Sequence, residues 1–347
     1  MAAQDAIQTA RARVAKTLHC RSDEIYFTAC GSESNNMAVY GAARPRRAWG
    51  NKIVVTRFEH PSVQRPIRAL KDEGFTVVEI LPGRDGRIDT QKFLQEIDKN
   101  TVLAACMAVN NETGAVQDIA ALGKGVKARN SRTHFHVDAV QAWLRIPIDL
   151  QKWREVDSLS VSGHKVHAPK GVGALFIRDS QRQTLKPPYI GGHQERGLRP
   201  GTEPAALIAG LAAAFKITCA ERRQRAAKKR ALADEFWQTL HAARPEARLH
   251  TPADGLPGLL SIGIPGRSGQ RLTYQLDVAG VSVSPGAACD NRGVQEPSHV
   301  LVALGGTAAE DALSTLRFSF GSGFFSSGLL SGQALGLGFY GSRAFFR

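Results

Sequence analysis

Asp138 and Lys165 are the residues of this sequence best placed to do chemistry. They stand in two short segments, His136-Val137-Asp138-Ala139-Val140-Gln141 and Ser162-Gly163-His164-Lys165. A lysine amine can bond to the aldehyde of a cofactor, and an aspartate can pair with a pyridinium nitrogen, holding it protonated so that the ring accepts electrons. That pair is the chemical outfit of a pyridoxal phosphate site. Taken singly, each residue would be ordinary, one a carboxylate at a strand end and the other a solvated loop lysine. Their order and spacing argue otherwise, through the elements that must carry them.

Phe135-His136-Val137 predicts a short buried strand ending at Asp138, and Ser158-Leu159-Ser160-Val161 predicts another ending just before Lys165. In open α/β sheets ligands bind outside the carboxyl ends of strands, so both segments point to one crevice. Upstream, a helix over Gln4-Leu18, a strand over Glu24-Thr28 and a helix from Glu33 to Ala42 begin an alternating pattern. It continues through Lys52-Thr56, Ser62-Glu73, Thr76-Ile80, Thr90-Asp98, Val102-Val109 and Leu122-Arg129. Alternation of this kind predicts a large, doubly wound, mainly parallel sheet. The pattern changes near Thr202-Glu203-Pro204, where a long helical stretch from Ala205 to about Ala243 connects to short strands around Leu259-Ile264 and Val281-Val283. The expected organisation is a cofactor-binding domain over 1–215, a smaller α+β domain over 216–321 and a low-complexity tail over 322–347.

Ser162-Gly163-His164-Lys165 followed by Pro169-Lys170-Gly171-Val172-Gly173 resembles the lysine loop of cysteine desulfurases, in the class V group of fold-type I pyridoxal phosphate enzymes. Further segments resemble the same family in the same order. They include Phe27-Thr28 with Glu33-Ser34-Asn35-Asn36, Glu59-His60-Pro61-Ser62-Val63, Asn110-Asn111-Glu112-Thr113-Gly114 and Gly191-Gly192-His193-Gln194-Glu195-Arg196. Downstream lie Arg199-Pro200-Gly201-Thr202, Ser284-Pro285-Gly286-Ala287-Ala288-Cys289 and Arg317-Phe318-Ser319-Phe320-Gly321. The resemblance runs from Ala6 to Gly321.

It implies a role for each matching residue. Lys165 would carry the cofactor, Asp138 would face its ring nitrogen, and His60 would stack on the ring and move protons. Asn111 and Gln141 would hydrogen-bond the ring oxygen. Gly31 and Ser32, between a strand and a helix, are placed to hold phosphate at a helix N-terminus. The resemblance adds Ser162 and His164 as phosphate ligands and Thr202 as a phosphate contact from a second subunit, hence a homodimer. Cys30 stands where family members usually have a small residue, often glycine. Arg317 would grip the substrate carboxylate with its two-pronged guanidinium. Cys289 resembles the family's persulfide-forming cysteine. The residues around it predict an exposed loop, and nearby Arg292 favours a thiolate.

The implied activity is conversion of L-cysteine to L-alanine, with sulfur delivered through Cys289 to an acceptor. The acceptor would be an iron–sulfur scaffold or a protein of tRNA or DNA thiolation. Two other readings remain open: a selenocysteine lyase or aminotransferase of the same fold, or an inactive, shortened chain that only binds a partner.

Composition narrows the classes. The five cysteines Cys20, Cys30, Cys106, Cys219 and Cys289 are scattered, with no Cys-x-x-Cys pair, so neither a disulfide framework nor a metal site is expected. The net charge of +14 suits an acidic partner. The densest basic run, Glu221 to Arg230, lacks interleaved aromatics and predicts a solvated helix face rather than a nucleic-acid site. Met1 to Ala15 has no apolar core of a signal peptide, and no run reaches membrane-spanning length, so a cytoplasmic protein is expected. Both ends depart from the family pattern. Met1 falls where a helix should be under way, and the Gly/Ser-rich stretch from Ser322 replaces an acidic helix, as a misplaced start and a shifted reading frame would produce.

Overall fold

The structure is a computed structural model that describes residues 2–286, 296–305 and 309–321. Its strands are β1 (Ile25–Thr28), β2 (Lys52–Thr56), β3 (Thr76–Ile80), β4 (Thr101–Ala105), β5 (His134–Asp138), β6 (Ser158–Ser162), β7 (Gly173–Ile177), β8 (Arg248–Leu249), β9 (Leu259–Gly263) and β10 (Thr315–Ser319). Its α-helices are α1 (Ala2–Leu18), α2 (Gly31–Ala43), α3 (Pro61–Asp72), α4 (Thr90–Gln95), α5 (Ile119–Arg129), α6 (Ala205–Ala243), α7 (Gly269–Val278), α8 (His299–Ala303) and α9 (Ala309–Leu313).

The described residues divide into two compact units. The first takes in the chain to Ile80, Ile88–Val109 and Gln117–Arg222. The second takes in Leu81–Arg87, Asn110–Val116 and the described residues from Arg223 onward. The boundary therefore falls inside α6.

In the first unit a seven-stranded sheet runs in the order β1-β7-β6-β5-β4-β2-β3. From β6 to β3 neighbouring strands are parallel, while β7 is antiparallel to both β6 and β1. The helices between β1 and β5 make the crossovers as far as β5, and the non-helical stretch 139–157 carries β5 to its parallel neighbour β6, since parallel neighbours cannot be joined by a tight turn. Only ten residues separate Ser162 from Gly173, and no α-helix intervenes, so β7 returns antiparallel with Ser162 opposite Gly173. The architecture is a large, mainly parallel sheet with flanking helices, as expected of fold-type I enzymes.

Every residue of β4, β5, β6 and β7 is buried, as strands covered on both faces must be. Helix α2 packs over β7, β6, β5 and β4. Its small residues Ala38, Ala42 and Ala43 allow close approach, and Val39 joins Val63, Ile67 and Leu70 of α3 over Ile53, Val55 and Leu103 of the sheet. Burying each such aliphatic side chain contributes roughly 1.5–3 kcal/mol before conformational entropy is counted.

In the second unit β10, β9 and β8 form an antiparallel sheet, with Leu260, Ile262, Leu316 and Phe318 packing on Ala233 and Leu240 of α6. The strand expected around Val281-Val283 is not formed. The chain there touches β10 through one bridge, with Ser284 N–H donating to Arg317 O at 3.1 Å and Arg317 N–H to Ser284 O at 2.7 Å. The basic run lies along α6 as an exposed and half-exposed surface, where Arg230 donates to the carbonyls of Ala253 and Gly255.

Candidate active site

Side chains alternate across a strand, so His134, His136 and Asp138 share one face of β5, and Ser158, Ser160 and Ser162 share one face of β6. Registry sets His136 beside Ser158 and Asp138 beside Ser160. Asp138, the last residue of β5, is only 4% exposed. Its Oδ1 accepts from Val140 N–H at 2.9 Å and its Oδ2 from Asn35 Nδ2 at 2.8 Å. Burial raises the pKa of this carboxyl. His60, the Val140 and Asn35 donors and Lys165 act in the opposite direction and favour the anion. His60 and Lys165 are thus within electrostatic reach of Asp138.

His60 caps α3, with Pro61 at the first helical position, where its missing N–H costs no hydrogen bond. The cap is made by the imidazole itself. His60 Nδ1 accepts from Ser62 N–H at 3.1 Å and pairs with Ser62 Oγ at 2.7 Å. The neighbouring Glu59 is fully buried and accepts from Met107 N–H at 2.6 Å and from the Thr56 hydroxyl. Burial pushes its carboxyl up to about 8, and the charge of Asp138 adds to that.

Gly31 begins α2, and the capping residue, Cys30, contributes no side-chain hydrogen bond. A Cβ on Gly31 would lie 2.5 Å from Val140 Cγ2 and 3.4 Å from Ser162 Cβ, so only glycine lets the helix start against both chemical segments. Cys30 has an extended backbone that any residue adopts, and the room beside it comes from Gly173, where a Cβ would stand 2.9 Å from the Cys30 carbonyl carbon. Ser32 is exposed beside Gly31. Ser162 Oγ pairs with His164 Nδ1 at 2.8 Å, and His164 and Lys165 are the exposed residues of the 3₁₀ turn Gly163–Val166 that follows β6, whose ends are buried. Burial and the adjacent Lys165 hold the His164 imidazole below its ordinary pKa.

The first unit therefore brings together Gly31, Ser32, His60, Asp138, Ser162, His164 and Lys165. Gln141 is buried nearby in sequence, with its Oε1 accepting from Arg145. Thr202 is exposed in the loop before α6. Asn111 and Arg317 belong to the second unit, where Arg317 Nη1 donates to Asn111 O at 3.0 Å and Nη2 to Ser284 Oγ at 3.3 Å. Cys289 lies outside the described residues.

The expectations from sequence omitted Asn35, Ser62, His136 and Ser158, all of which hydrogen-bond within the cluster. The signal was available as polar residues at every second position, His-x-His-x-Asp in one buried strand and Ser-x-Ser-x-Ser in the next. Buried polar side chains on one sheet face need partners; His134, Ser158 and His136 find them in one another and in Asn35, and Asp138 in Asn35, while Ser160 Oγ has no hydrogen-bond partner among the described residues.

This donor set fits pyridoxal phosphate. A buried carboxylate suits a pyridinium nitrogen, and a lysine amine suits an aldehyde. The glycine-opened start of α2, with Ser32, Ser162 and His164 beside it, suits a phosphate.

Comparison with known proteins agrees with this chemistry. The chain matches the family described as Aminotransferase class-V over residues 1–324. A cysteine desulfurase of Nostoc sp. is 39% identical over 303 residues, covering 86% of this chain and 74% of the relative. A solved structure described as a NifS-like protein superposes with a TM-score of 0.86 at 32% identity, covering 94% of this chain and 85% of that one. Another, described as SspA in complex with cysteine, gives a TM-score of 0.78 at 33% identity over 91% of this chain and 87% of that one.

Proposed function

Because the chain belongs to the aminotransferase class-V family, we infer that the polar cluster at the carboxyl ends of β5 and β6 is its pyridoxal phosphate site. The protein is a pyridoxal phosphate-dependent cysteine desulfurase, converting L-cysteine to L-alanine with transfer of the sulfur as a persulfide. The observation that carries the site reading is Asp138, a buried carboxylate that two donors favour as an anion, at the end of β5 and within electrostatic reach of Lys165.

When bound, the cofactor supplies an electron sink for the pair released when a bond to the substrate Cα is broken. In this reading Asp138 would keep the ring nitrogen protonated, and His60 would be the group that stacks on the ring and moves protons. Lys165 would hold the cofactor aldehyde, and its amine is the group that would hold or return a proton at the substrate carbons. Gly31, Ser32, Ser162 and His164 would hold the phosphate, joined by Thr202 from a second copy of the chain, and the working form would then be a homodimer. The family resemblance would give Asn111 and Gln141 the ring oxygen and Arg317 the substrate carboxylate. The Cys289 thiolate attacks the sulfur of L-cysteine. An S–S bond forms as the substrate C–S bond breaks, the electron pair stays with the substrate carbon, and protonation there gives alanine.

The persulfide is then passed to an acceptor, an iron–sulfur scaffold or a thiolation protein. Among the described residues no helix is long and apolar enough to cross a membrane. The described cysteines are free thiols, as the reducing cytoplasm we propose for it would keep them.

The test is a visible spectrum of the purified chain before and after L-cysteine, with alanine and sulfide assayed in the same tube. A cofactor band that shifts with stoichiometric alanine supports the reading. A chain that carries no cofactor when supplied with it overturns the site assignment. Cys289→Ser should keep the band and form no persulfide, and sustained sulfide release by that variant would remove Cys289 from its role.

A further inference from the structure

Asn35 is buried on α2 and spends its whole amide inside the site. Its Nδ2 donates to Asp138 Oδ2 at 2.8 Å and to Ser62 Oγ at 2.9 Å, while its Oδ1 faces His136 Nε2 at 3.0 Å. The directions of these bonds follow from what each group can do. An ionised carboxylate only accepts, so the nitrogen end of the amide must face Asp138. Both amide protons are then committed, Oδ1 is the acceptor, and His136 must carry its proton on Nε2.

A neutral imidazole has one N–H, which leaves His136 Nδ1 to accept from Ser158 Oγ at 2.8 Å. Ser158 Oγ in turn accepts from His134 Nε2 at 2.8 Å. Burial keeps both imidazoles neutral, holding His136 at about 3 and His134 well below its ordinary value. On the other branch Ser62 Oγ, accepting from Asn35, donates to His60 Nδ1 at 2.7 Å, and Ser62 N–H reaches the same nitrogen. Neutral His60 therefore carries its proton on Nε2.

We propose that Asn35 is a positioning residue for the reaction, setting the Asp138 carboxylate and, through Ser62, the His60 tautomer from a single amide whose orientation His136 fixes. The inference rests on reading Asp138 and His60 as the groups that hold the cofactor ring. It gives the buried His134-Ser158-His136 row a purpose that no contact with substrate would supply. The row is an uncharged line of donors that ends on the one carboxylate, and a flipped Asn35 amide would set its oxygen against Asp138 and its nitrogen against the His136 N–H.

Two variants of the full chain separate positioning from simple filling of space. Asn35→Asp keeps the shape and the acceptor for His136, but it donates to Asp138 only while one proton remains in the carboxyl pair. Asn35→Ala never donates. The groups facing that pair are His60 at the cap of α3, Lys165 in the turn after β6, Glu59 before α3, and His136 and Ser62 at the amide itself.

Titration of each protein with pyridoxal phosphate across pH should show Asn35→Ala weakened about tenfold or more at every pH, the loss expected of a hydrogen bond to a charged group. Asn35→Asp should bind nearly as wild type does at the acid end and weaken at least tenfold as the shared proton leaves. Equal losses in the two variants at all pH values, or none in either, overturn the proposal.

Long-range ¹H–¹⁵N spectra of the histidine-labelled, cofactor-free chain give an independent readout. His60 and His136 should both be Nε2–H tautomers in wild type, and an Nδ1–H form of His136 should emerge in Asn35→Ala. An Nδ1–H His136 in wild type overturns the proposal whatever the cofactor does. Correct tautomers in a wild-type chain that binds no pyridoxal phosphate would support the Asn35 chain and overturn the cofactor reading instead.

Discussion

Arg11 and Glu195 form a buried two-pronged ion pair, Nη1 to Oε2 and Nη2 to Oε1, both at 2.7 Å. The same carboxylate accepts from Phe27 N–H at 2.9 Å, and Arg11 Nη1 also donates to Ile25 O at 2.7 Å. The pair ties α1 and β1 to a turn in which Glu195 and Arg196 both hold left-handed backbones, with φ of 45° and 55°. Such conformations cost about 1–3 kcal/mol each for residues with a Cβ and persist where surrounding contacts impose them. The turn leads into the loop that carries Arg199 and Thr202.

Glu195→Ala should therefore be severely destabilising, by about 3–5 kcal/mol, because it leaves the Arg11 guanidinium buried without its counter-charge. Arg11→Met combined with Glu195→Ala should recover part of that loss. Urea unfolding midpoints of the two single variants and the double variant test it. Strictly additive losses would show that the pair is not coupled.

Lys165 is exposed in the 3₁₀ turn after β6, within electrostatic reach of Asp138. Borohydride treatment of the cofactor-loaded wild type should fix the cofactor mass to the peptide that contains Lys165. Lys165→Ala should retain no covalent label and lose alanine formation by several orders of magnitude, while its unfolding free energy changes by less than about 0.5 kcal/mol, as for an exposed side chain. Labelling of another lysine in wild type would reassign the anchor.

Arg317 is half-buried and held through both guanidinium nitrogens, by Asn111 O and Ser284 Oγ. A lysine cannot reproduce that fork. Arg317→Lys should raise KM for L-cysteine about ten- to hundredfold with a smaller change in kcat, the pattern of lost ground-state binding. Steady-state alanine formation measures both constants, and an unchanged KM would remove Arg317 from the substrate.

What could be read in advance follows physical lines. Asp138 was legible because the short strand Phe135-His136-Val137 ends in a lone acid, and the parallel run from β2 to β5 because helices alternate with those strands. Asn35 was not, because α2 is buried on several sides, so no polar stripe marks which of its residues faces the sheet. The excursion Asn110–Val116 carries no shift in composition. Its membership of the second unit depends on tertiary bonds such as Leu256 N–H to Gly114 O at 2.8 Å. Val281-Val283 has the β-branched content of a strand, yet among the described residues it forms isolated bridges, at Val281 and at Ser284 with Arg317, and no strand, since strand pairing needs a partner whose register composition alone does not specify.

Glu59 offers a test by pH. Its folded value of about 8 lies above the 4.5 of an unperturbed glutamate, first through burial and then through the nearby Asp138 charge, against the donors from Thr56 and Met107. A raised carboxyl favours its proton in the folded state, so this contribution to stability is fully present below about 4.5 and is lost as pH rises through about 8. Glu59→Gln keeps an oxygen for Met107 N–H and the Thr56 hydroxyl but has no proton to lose. The cofactor-free wild type should therefore lose on the order of a few kcal/mol relative to Glu59→Gln across that range, with the two proteins closest at the acid end. Urea midpoints of both proteins at several pH values decide it. Parallel curves would mean that Glu59 is already ionised in the folded protein, and that Glu59 and Asp138 are two neighbouring negative charges rather than one.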